Sequence, residues 1–183
     1  VKSRKPNIVL ILADDLGYAD LSCYGSKVQH TPELDRLASE GMRFTDFHAN
    51  GPVCSPTRAA LMTGCYQQRV GIEDALTIDG DVGLGPQVTL ASCLREQGYA
   101  TGMSGKWHLG SKRPEFRPNA HGFDEFWGLL TGDGDYHSHI DRAGNRDWWH
   151  NNERAEEDGY TTELITRHGL DFIDKHRDEP FFL

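Results

Sequence analysis

The amino-acid sequence predicts an α/β fold with a mostly parallel central sheet sandwiched by helices. Strand-like and helix-like segments alternate along the chain, without internal repeats or low-complexity tracts. The first segment, Asn7 to Leu12, is apolar after its first residue and rich in β-branched side chains, as in a central strand covered on both faces. Alternation of such strands with helices is typical of a parallel sheet with helical crossovers.

Composition limits the partners that the chain can bind. Its 183 residues suffice for one domain with a sizeable core. The formal charge of −9 argues against a nucleic-acid-binding or anionic-membrane surface. No apolar run approaches the roughly 20 residues of a membrane span. The sequence contains no signal peptide but begins at Val1 rather than methionine, so composition leaves the cellular compartment open.

A well-signalled helix should follow the first strand. The segment Thr31-Pro32-Glu33 combines a capping residue, a proline at the first helical position and an acid in the first turn. Apolar side chains then recur at helical spacing until Gly41, which should end the helix. Residues 42–47 alternate imperfectly between apolar and polar side chains, which predicts a second strand.

A second helix is expected just after the only Cys-Ser-Pro sequence. Ser55 and Pro56 again provide a capping residue and a first-turn proline, so the helix should cover Thr57 to Met62. Cys54 would then lie at a helix N-terminus. Unpaired N–H groups and the positive end of the helix dipole attract anions to such a position.

The rest of the chain predicts two helices, two strands and one long loop. The helices are Val88 to Gln97 and Thr161 to His176, the strands are Tyr99 to Met103 and Pro180 to Leu183, and the loop is Thr131 to Gly159. A loop of this length is a candidate for shaping a substrate pocket. Because the chain stops within an apolar strand, we expect it to be part of a longer domain.

Two groups of polar side chains follow predicted strands, at the sheet edge where α/β proteins gather functional loops. Asp14 and Asp15 come directly after the first strand. Their carboxylates suit calcium or magnesium, provided that the backbone turns between them. Lys106 and His108 follow a later strand, and alternate residues of an extended backbone face the same side.

Cys54 and Arg58 outline an anion-binding nucleophile site, since the arginine adds a cation one helical turn away. Their spacing is shorter than in cysteine-dependent phosphatases, which disfavours a thiolate phosphatase. The run from Cys54 to Gly64 resembles the signature of formylglycine-dependent sulfatases of the alkaline phosphatase superfamily. Residues 6–18, 105–108 and 121–124 are similar to further blocks of this family, so the resemblance covers nearly the whole chain.

This resemblance implies a sulfuric ester hydrolase that cleaves aryl or carbohydrate sulfates, with sulfated glycans favoured. A formylglycine-generating enzyme would oxidise Cys54 to formylglycine, and one hydroxyl of its hydrate would attack sulfur, with Arg58 beside it. Asp14, Asp15 and residue 54 would bind a calcium ion, with magnesium less favoured. The family also implies an extracytoplasmic location, whether periplasmic, secreted or lysosomal.

The resemblance assigns roles to four further side chains. Lys106 would contact the sulfate group, and His108 would be the base that collapses the hydrate after sulfate transfer. Ser138 and His139 resemble a Ser-His pair that contacts substrate in some arylsulfatases. A solvated loop histidine is the equally weighted alternative for His139.

The family places further calcium ligands, and another lysine and histidine, in later segments than this chain contains. The resemblance therefore implies that residues 1–183 are the N-terminal part of a single sulfatase catalytic domain, inactive by itself. Two other functions stay open. One is a formylglycine-dependent phosphonate monoester or phosphodiester hydrolase of the same superfamily, and the other is an inactive fragment or binding module.

The remaining cysteines and the paired tryptophans have simpler interpretations. Cys23, Cys65 and Cys93 are interpreted as small buried thiols, and their spacing defines no disulfide pattern. Trp148 and Trp149 could stack on a sugar or an aryl group, or they could belong to the core.

Overall fold

A computed structural model describes residues 5–183. The chain forms two compact units, of which the larger contains Val1–Leu10 and Asn50–Leu183 and the smaller contains Ile11–Ala49. Within the described residues, the sheet belongs to the larger unit. The smaller unit contains one α-helix and two short 3-10 helices.

The larger unit is built on a mixed sheet of five strands. Strand β1 is parallel to both β2 and β5, whereas β2, β3 and β4 pair in antiparallel fashion at the opposite edge. The spatial order is β4-β3-β2-β1-β5. The predicted α/β fold class is confirmed, with a short antiparallel hairpin added at one edge. The strands are β1 Ala100–Lys106, β2 Glu125–Leu129, β3 Trp149–His150, β4 Glu153–Arg154 and β5 Phe181–Phe182.

The helices form where the local sequence signals predict them. Helix α1 spans Pro32–Glu40, α2 spans Cys54–Thr63, α3 spans Leu90–Glu96 and α4 spans Thr161–Lys175. Helices α3 and α4 pack against β1. The hydroxyl of Thr89 accepts the backbone N–H of Ser92 at the start of α3, which satisfies one of the donors left open there. No helix in the described part of the chain combines the length and apolarity needed to span a membrane.

Aromatic side chains dominate the core of the larger unit. Trp107, Phe126 and Phe182 are each at most 2% exposed and belong to one cluster. Burial of such a side chain contributes about 1.5–3 kcal/mol. Trp148 anchors a second, smaller cluster with Leu164 of α4. Trp148 is therefore a core residue. Strand β5, which contributes Phe182 to the first cluster, lies between Pro180 and Leu183 as predicted.

The first segment is not the central strand that its composition predicts. Ile8 forms one parallel bridge to Phe182, and its N–H donates to the Phe181 carbonyl. Among the described residues, this segment pairs on one edge alone, whereas a central strand needs a neighbour on each edge. The apolar side chains that follow are accordingly exposed, with Ile11 79% exposed.

The prediction of a second strand at residues 42–47 is also wrong. The structure has no strand there, and Met42, Phe44 and Phe47 are exposed. Alternation of apolar side chains favours a strand only where another strand offers backbone partners. The described residues of the smaller unit contain no such strand.

Strands β1 and β2 approach so closely that position 128 requires glycine. Gly128 has a φ of +147°, and a Cβ there would lie 1.9 Å from the carbonyl oxygen of Gly105. We expect Gly128→Ala to lower the free energy of unfolding by about 3 kcal/mol or more, through backbone strain and overpacking together. Urea unfolding of the purified protein measures this loss.

Gly144→Ala is the matched control, because Gly144 also has a positive φ, +85°, but a Cβ there meets nothing within 4 Å. It should cost only about 1 kcal/mol. Equal losses for the two variants would contradict the close approach of β1 and β2.

Candidate active site

Helix α2 begins at Cys54, three residues earlier than predicted. Val53 is the N-cap in extended conformation, and the first helical bond runs from the Thr57 N–H to the Val53 carbonyl. Pro56 is tolerated because the N–H groups of a first turn have no partner within the helix. Ser55 is therefore a helical residue rather than a cap. Cys54 lies half-buried at the helix N-terminus, as predicted.

Hydrogen bonds from side chains outside the sequence motifs stabilise the segment that precedes α2. Gln67 is buried and exchanges two hydrogen bonds with Asn50: its Nε2 donates to the Asn50 carbonyl at 2.8 Å, and Asn50 Nδ2 donates to Gln67 Oε1 at 3.0 Å. Thr57 Oγ1 donates to the Gly51 carbonyl at 3.0 Å. No sequence pattern pairs these positions, because the bonds depend on the tertiary fold.

Arg58 connects α2 to the end of β1. Its side chain is only 8% exposed, and its Nη1 donates to the main-chain carbonyl of Lys106. A guanidinium offers five donors in a fixed plane, so Arg58 can bind other groups as well as this carbonyl. The structure thus brings together Cys54, Arg58 and Lys106 through α2 and the last residue of β1.

His108 lies just after β1 and has a left-handed backbone conformation. Its φ is +53°, and its N–H donates to the Leu130 carbonyl at 3.2 Å. The backbone is therefore not extended between Lys106 and His108, so the alternation rule does not apply to this pair. The imidazole is 6% exposed, and its Nε2 lies 2.9 Å from the Leu76 carbonyl oxygen.

Trp107, between these two polar residues, fixes the segment in the core. Its indole is 1% exposed, and Nε1 donates to the Phe116 carbonyl at 2.8 Å. The imidazole of His121 stacks on the indole with ring centroids 5.6 Å apart. Burial lowers the pKa of His121, which favours its neutral form in this apolar contact.

Ser138 and His139 have different environments. Ser138 is exposed, and its Oγ donates to the Asp135 carboxylate at 2.9 Å. The N–H groups of His137 and Ser138 donate to the same carboxylate, and these bonds hold the pKa of Asp135 at about 2. His139 is 5% exposed and stacks on Trp148 at 5.2 Å. Substrate contact by either residue stays a prediction.

Asp147 joins this loop to the end of β2. Its buried carboxylate accepts the N–H groups of Leu130 and Thr131 at 3.1 and 2.8 Å, and the indole N–H of Trp149 at 2.7 Å. Burial raises the pKa of Asp147, although these donors oppose the shift. No sequence motif marked this residue.

Asp14 and Asp15 lie in the smaller unit with exposed side chains. Asp15 has a φ of +56°, so the backbone turns between the two carboxylates, as one shared cation would require. The described residues contain no group of three or more His, Cys, Asp or Glu side chains arranged to hold a metal ion. The assignment of these aspartates as metal ligands stays a prediction.

The described residues include all four cysteines, and each of them is a free thiol. Cys23 is half-buried, but Cys65 and Cys93 are exposed, so the interpretation of these two as buried thiols is wrong. Cys65 follows the left-handed Gly64 that ends α2, and Cys93 lies on α3. Their exposure reflects these positions rather than the usual preference of cysteine for the interior.

A sulfatase family model matches residues 6–183. The chain belongs to the sulfatase family. It is 48% identical to arylsulfatase A of Homo sapiens over 130 positions, which cover 69% of this chain and 26% of that protein. It is 39% identical to N-acetylgalactosamine-6-sulfatase of Sus scrofa over 202 positions, which cover 98% of this chain and 38% of that protein.

Solved sulfatase-like structures share the same architecture. The crystal structure of Ps i-CgsB in complex with k-i-k-neocarrahexaose has a TM-score of 0.91 and 37% identity. That match covers 98% of this chain and 44% of the solved chain. The chain therefore spans less than half the length of each of these relatives.

Replacing Asp147 by Asn should change how stability depends on pH. Burial raises the pKa of Asp147 above its ordinary 3.8, so the folded protein binds this proton more tightly than the unfolded chain. The carboxyl group therefore lowers stability as the pH rises from about 3.8 through the raised pKa. D147N should remove that decline, as urea unfolding across this pH range would measure.

The lost acceptor of D147N adds a constant destabilisation, so the pH slope is the informative quantity. Asp158→Asn is the control, because the Asp158 side chain is exposed and its variant should keep the original slope. Parallel pH profiles for D147N and the unmodified protein would contradict the raised pKa.

Proposed function

We propose that this protein is a sulfuric ester hydrolase whose nucleophile is residue 54, oxidised from cysteine to formylglycine. The position of Cys54 as the first residue of α2, one turn before the buried Arg58, supports this proposal most strongly. The first-turn N–H groups, the helix dipole and the guanidinium all favour an anionic group at this position. A sulfate ester supplies that anion.

The proposed reaction uses both hydroxyl groups of the hydrated aldehyde at residue 54. One hydroxyl gives its proton to water as its oxygen attacks sulfur and forms a new S–O bond. The S–O bond to the ester oxygen breaks, and that oxygen takes a proton from water and leaves as the alcohol. His108 then accepts the proton of the second hydroxyl. The carbonyl re-forms as the carbon–oxygen bond to sulfate breaks, and sulfate leaves with that electron pair.

Arg58 and Lys106 have electrostatic roles in this proposal. Lys106, half-buried at the end of β1, would contact the sulfate group, and Arg58 would stabilise negative charge near residue 54. The hydrogen bond from Arg58 to the Lys106 carbonyl keeps these two residues together. The attraction of both cations to the sulfate group would strengthen as charge develops on its oxygens.

Calcium is the proposed cofactor, with magnesium less favoured. Asp14 and Asp15 supply hard carboxylate oxygens, and the left-handed backbone at Asp15 fits two adjacent ligands for one cation. With residue 54 they would provide three of the roughly six to eight ligands that calcium requires, so other groups would have to complete the shell. When bound, the cation would lower the pKa of the hydroxyl of residue 54.

The proposed substrate is a sulfated glycan or a small sulfate ester. Among the relatives, one is named for N-acetylgalactosamine 6-sulfate and another binds neocarrahexaose, which favours a carbohydrate substrate. Ser138 and His139 are proposed to contact it with Lys106. We further propose maturation by a formylglycine-generating enzyme, an extracytoplasmic location, and a single catalytic domain to which residues 1–183 contribute the N-terminal part.

Mass spectrometry of the full-length protein tests the nucleophile. Trypsin releases Cys54 in the peptide 44–58 and Cys65 in the separate peptide 59–69. Peptide 44–58 should carry an aldehyde in place of the thiol, whereas peptide 59–69 should keep its thiol. Cys54→Ala should abolish sulfate ester hydrolysis, because no other residue supplies the hydrate.

Two controls sharpen this test. Cys65→Ser alters an exposed thiol and should leave activity unchanged. Cys54→Ser could accept sulfate once but has no second hydroxyl to expel it, so it should give a single turnover. Normal turnover by Cys54→Ala, or faster cleavage of aryl phosphonates than of aryl sulfates, would contradict the proposed function.

Metal removal tests the proposed calcium ligands. Chelation should inactivate the full-length enzyme and added calcium should restore it, whereas Asp14→Asn and Asp15→Asn should each weaken calcium binding by at least about tenfold. Equilibrium titration with calcium measures this change. Asp46→Asn, an exposed carboxylate of the same unit, should bind calcium like the unmodified enzyme. Unchanged affinity in both Asp14 and Asp15 variants would refute their assignment.

A further inference from the structure

The backbone of Leu76 links the helix that carries residue 54 to the imidazole of His108. The N–H of Leu76 donates to Ser55 Oγ at 3.0 Å, and the carbonyl oxygen of Leu76 lies 2.9 Å from His108 Nε2. Ser55 is 0% exposed and His108 is 6% exposed. Both hydrogen bonds are partly buried, because the two side chains are buried and Leu76 is half-buried, and partial exclusion of water strengthens such bonds.

This link determines which nitrogen of His108 carries a proton. A carbonyl oxygen can only accept a hydrogen bond, so Nε2 of His108 must be the protonated nitrogen. The neutral imidazole then holds its lone pair on Nδ1. Nδ1 is accordingly the atom that would receive a proton in the proposed reaction.

Gly132 restrains the same ring from another direction. A Cβ at this position would lie 2.5 Å from Cε1 and 2.7 Å from Nε2 of His108. The backbone of Gly132 is outside the left-handed region, so any residue could adopt its conformation. Space for the imidazole is therefore the reason that position 132 needs glycine.

We infer that Ser55, acting through the Leu76 backbone, and Gly132 are positioning residues for His108. Together they fix its tautomer and its ring position relative to residue 54, which directly precedes Ser55. Ser55 thus acts as an acceptor for a distant N–H, rather than as the helix cap that the sequence suggested. This inference rests on the proposed function, because it assigns His108 the proton transfer that releases sulfate.

The step that depends on this positioning follows sulfate transfer. The remaining hydroxyl of residue 54 gives its proton to Nδ1 of His108, and its O–H electrons form the carbonyl bond. The bond between carbon and the sulfate oxygen breaks, and sulfate takes that electron pair. Water then removes the proton from the imidazolium.

Two variants of the full-length, matured enzyme test the inference. Ser55→Ala removes the acceptor for the Leu76 N–H, and Gly132→Ala pushes the ring without touching the segment around residue 54. Gly134→Ala is the matched control, because a Cβ there would meet its nearest neighbour, Leu129 Cδ2, at an ordinary 3.7 Å. The fraction of peptide 44–58 that carries the aldehyde is measured for each variant. Rates are then expressed per mole of enzyme that carries the aldehyde.

Slower release of sulfate should lower kcat for an aryl sulfate by about tenfold to a hundredfold in both test variants. Because formation of the sulfated enzyme precedes that step, kcat/KM should stay near the original value and KM should fall. Acid-quenched S55A and G132A should show sulfate retained on peptide 44–58, whereas G134A should behave like the unmodified enzyme.

Nitrogen NMR of labelled histidine provides a readout that does not depend on turnover. His108 should be the Nε2–H tautomer in the unmodified enzyme and a mixture of tautomers in S55A. Unchanged kcat in G132A and S55A, or equal losses of kcat and kcat/KM without sulfated peptide, would overturn the inference. If the unmodified enzyme cleaves no sulfate ester, the proposed function fails, and an Nδ1–H tautomer of His108 would separately refute the positioning role.

Discussion

The partly buried hydrogen bond from Arg58 to the Lys106 carbonyl is the contact on which the candidate site depends. It joins the second turn of α2 to the last residue of β1, so the N-terminal part of this helix lies beside the carboxyl edge of the sheet. A largely buried guanidinium is costly unless its N–H groups find hydrogen-bond acceptors. This hydrogen bond therefore satisfies one of those donors and holds α2 beside the end of β1.

Core residues keep the polar segments around this contact in place. Trp107 anchors the segment between Lys106 and His108, because its indole N–H donates to the Phe116 carbonyl and its ring stacks on His121. Asp147 gathers backbone N–H groups at the end of β2 and so fixes the loop that follows. Reactive side chains can thus be held in defined positions on short turns, because the residues beside them are buried.

Sequence signals within a few residues of a helix end correctly predicted where α1 and α4 begin. Helix α1 starts at Pro32 and α4 starts at Thr161, close to the predicted positions, because caps, prolines and apolar spacing act within one turn. Within residues 5–183 the segment after Asn7 has no second strand neighbour, because strand pairing depends on residues distant in the sequence. The roles of Ser55 and Gly132 were unpredictable for the same reason: each depends on atoms far away in the sequence, at Leu76 and at His108.

In the proposed mechanism, residue 54 carries the sulfate group during turnover. The most direct test is to mix the full-length, matured enzyme with a radiolabelled sulfate ester, quench with acid during turnover, and locate the label by peptide mapping. We expect label in peptide 44–58, which contains residue 54. Continued turnover with no label in that peptide would contradict the account.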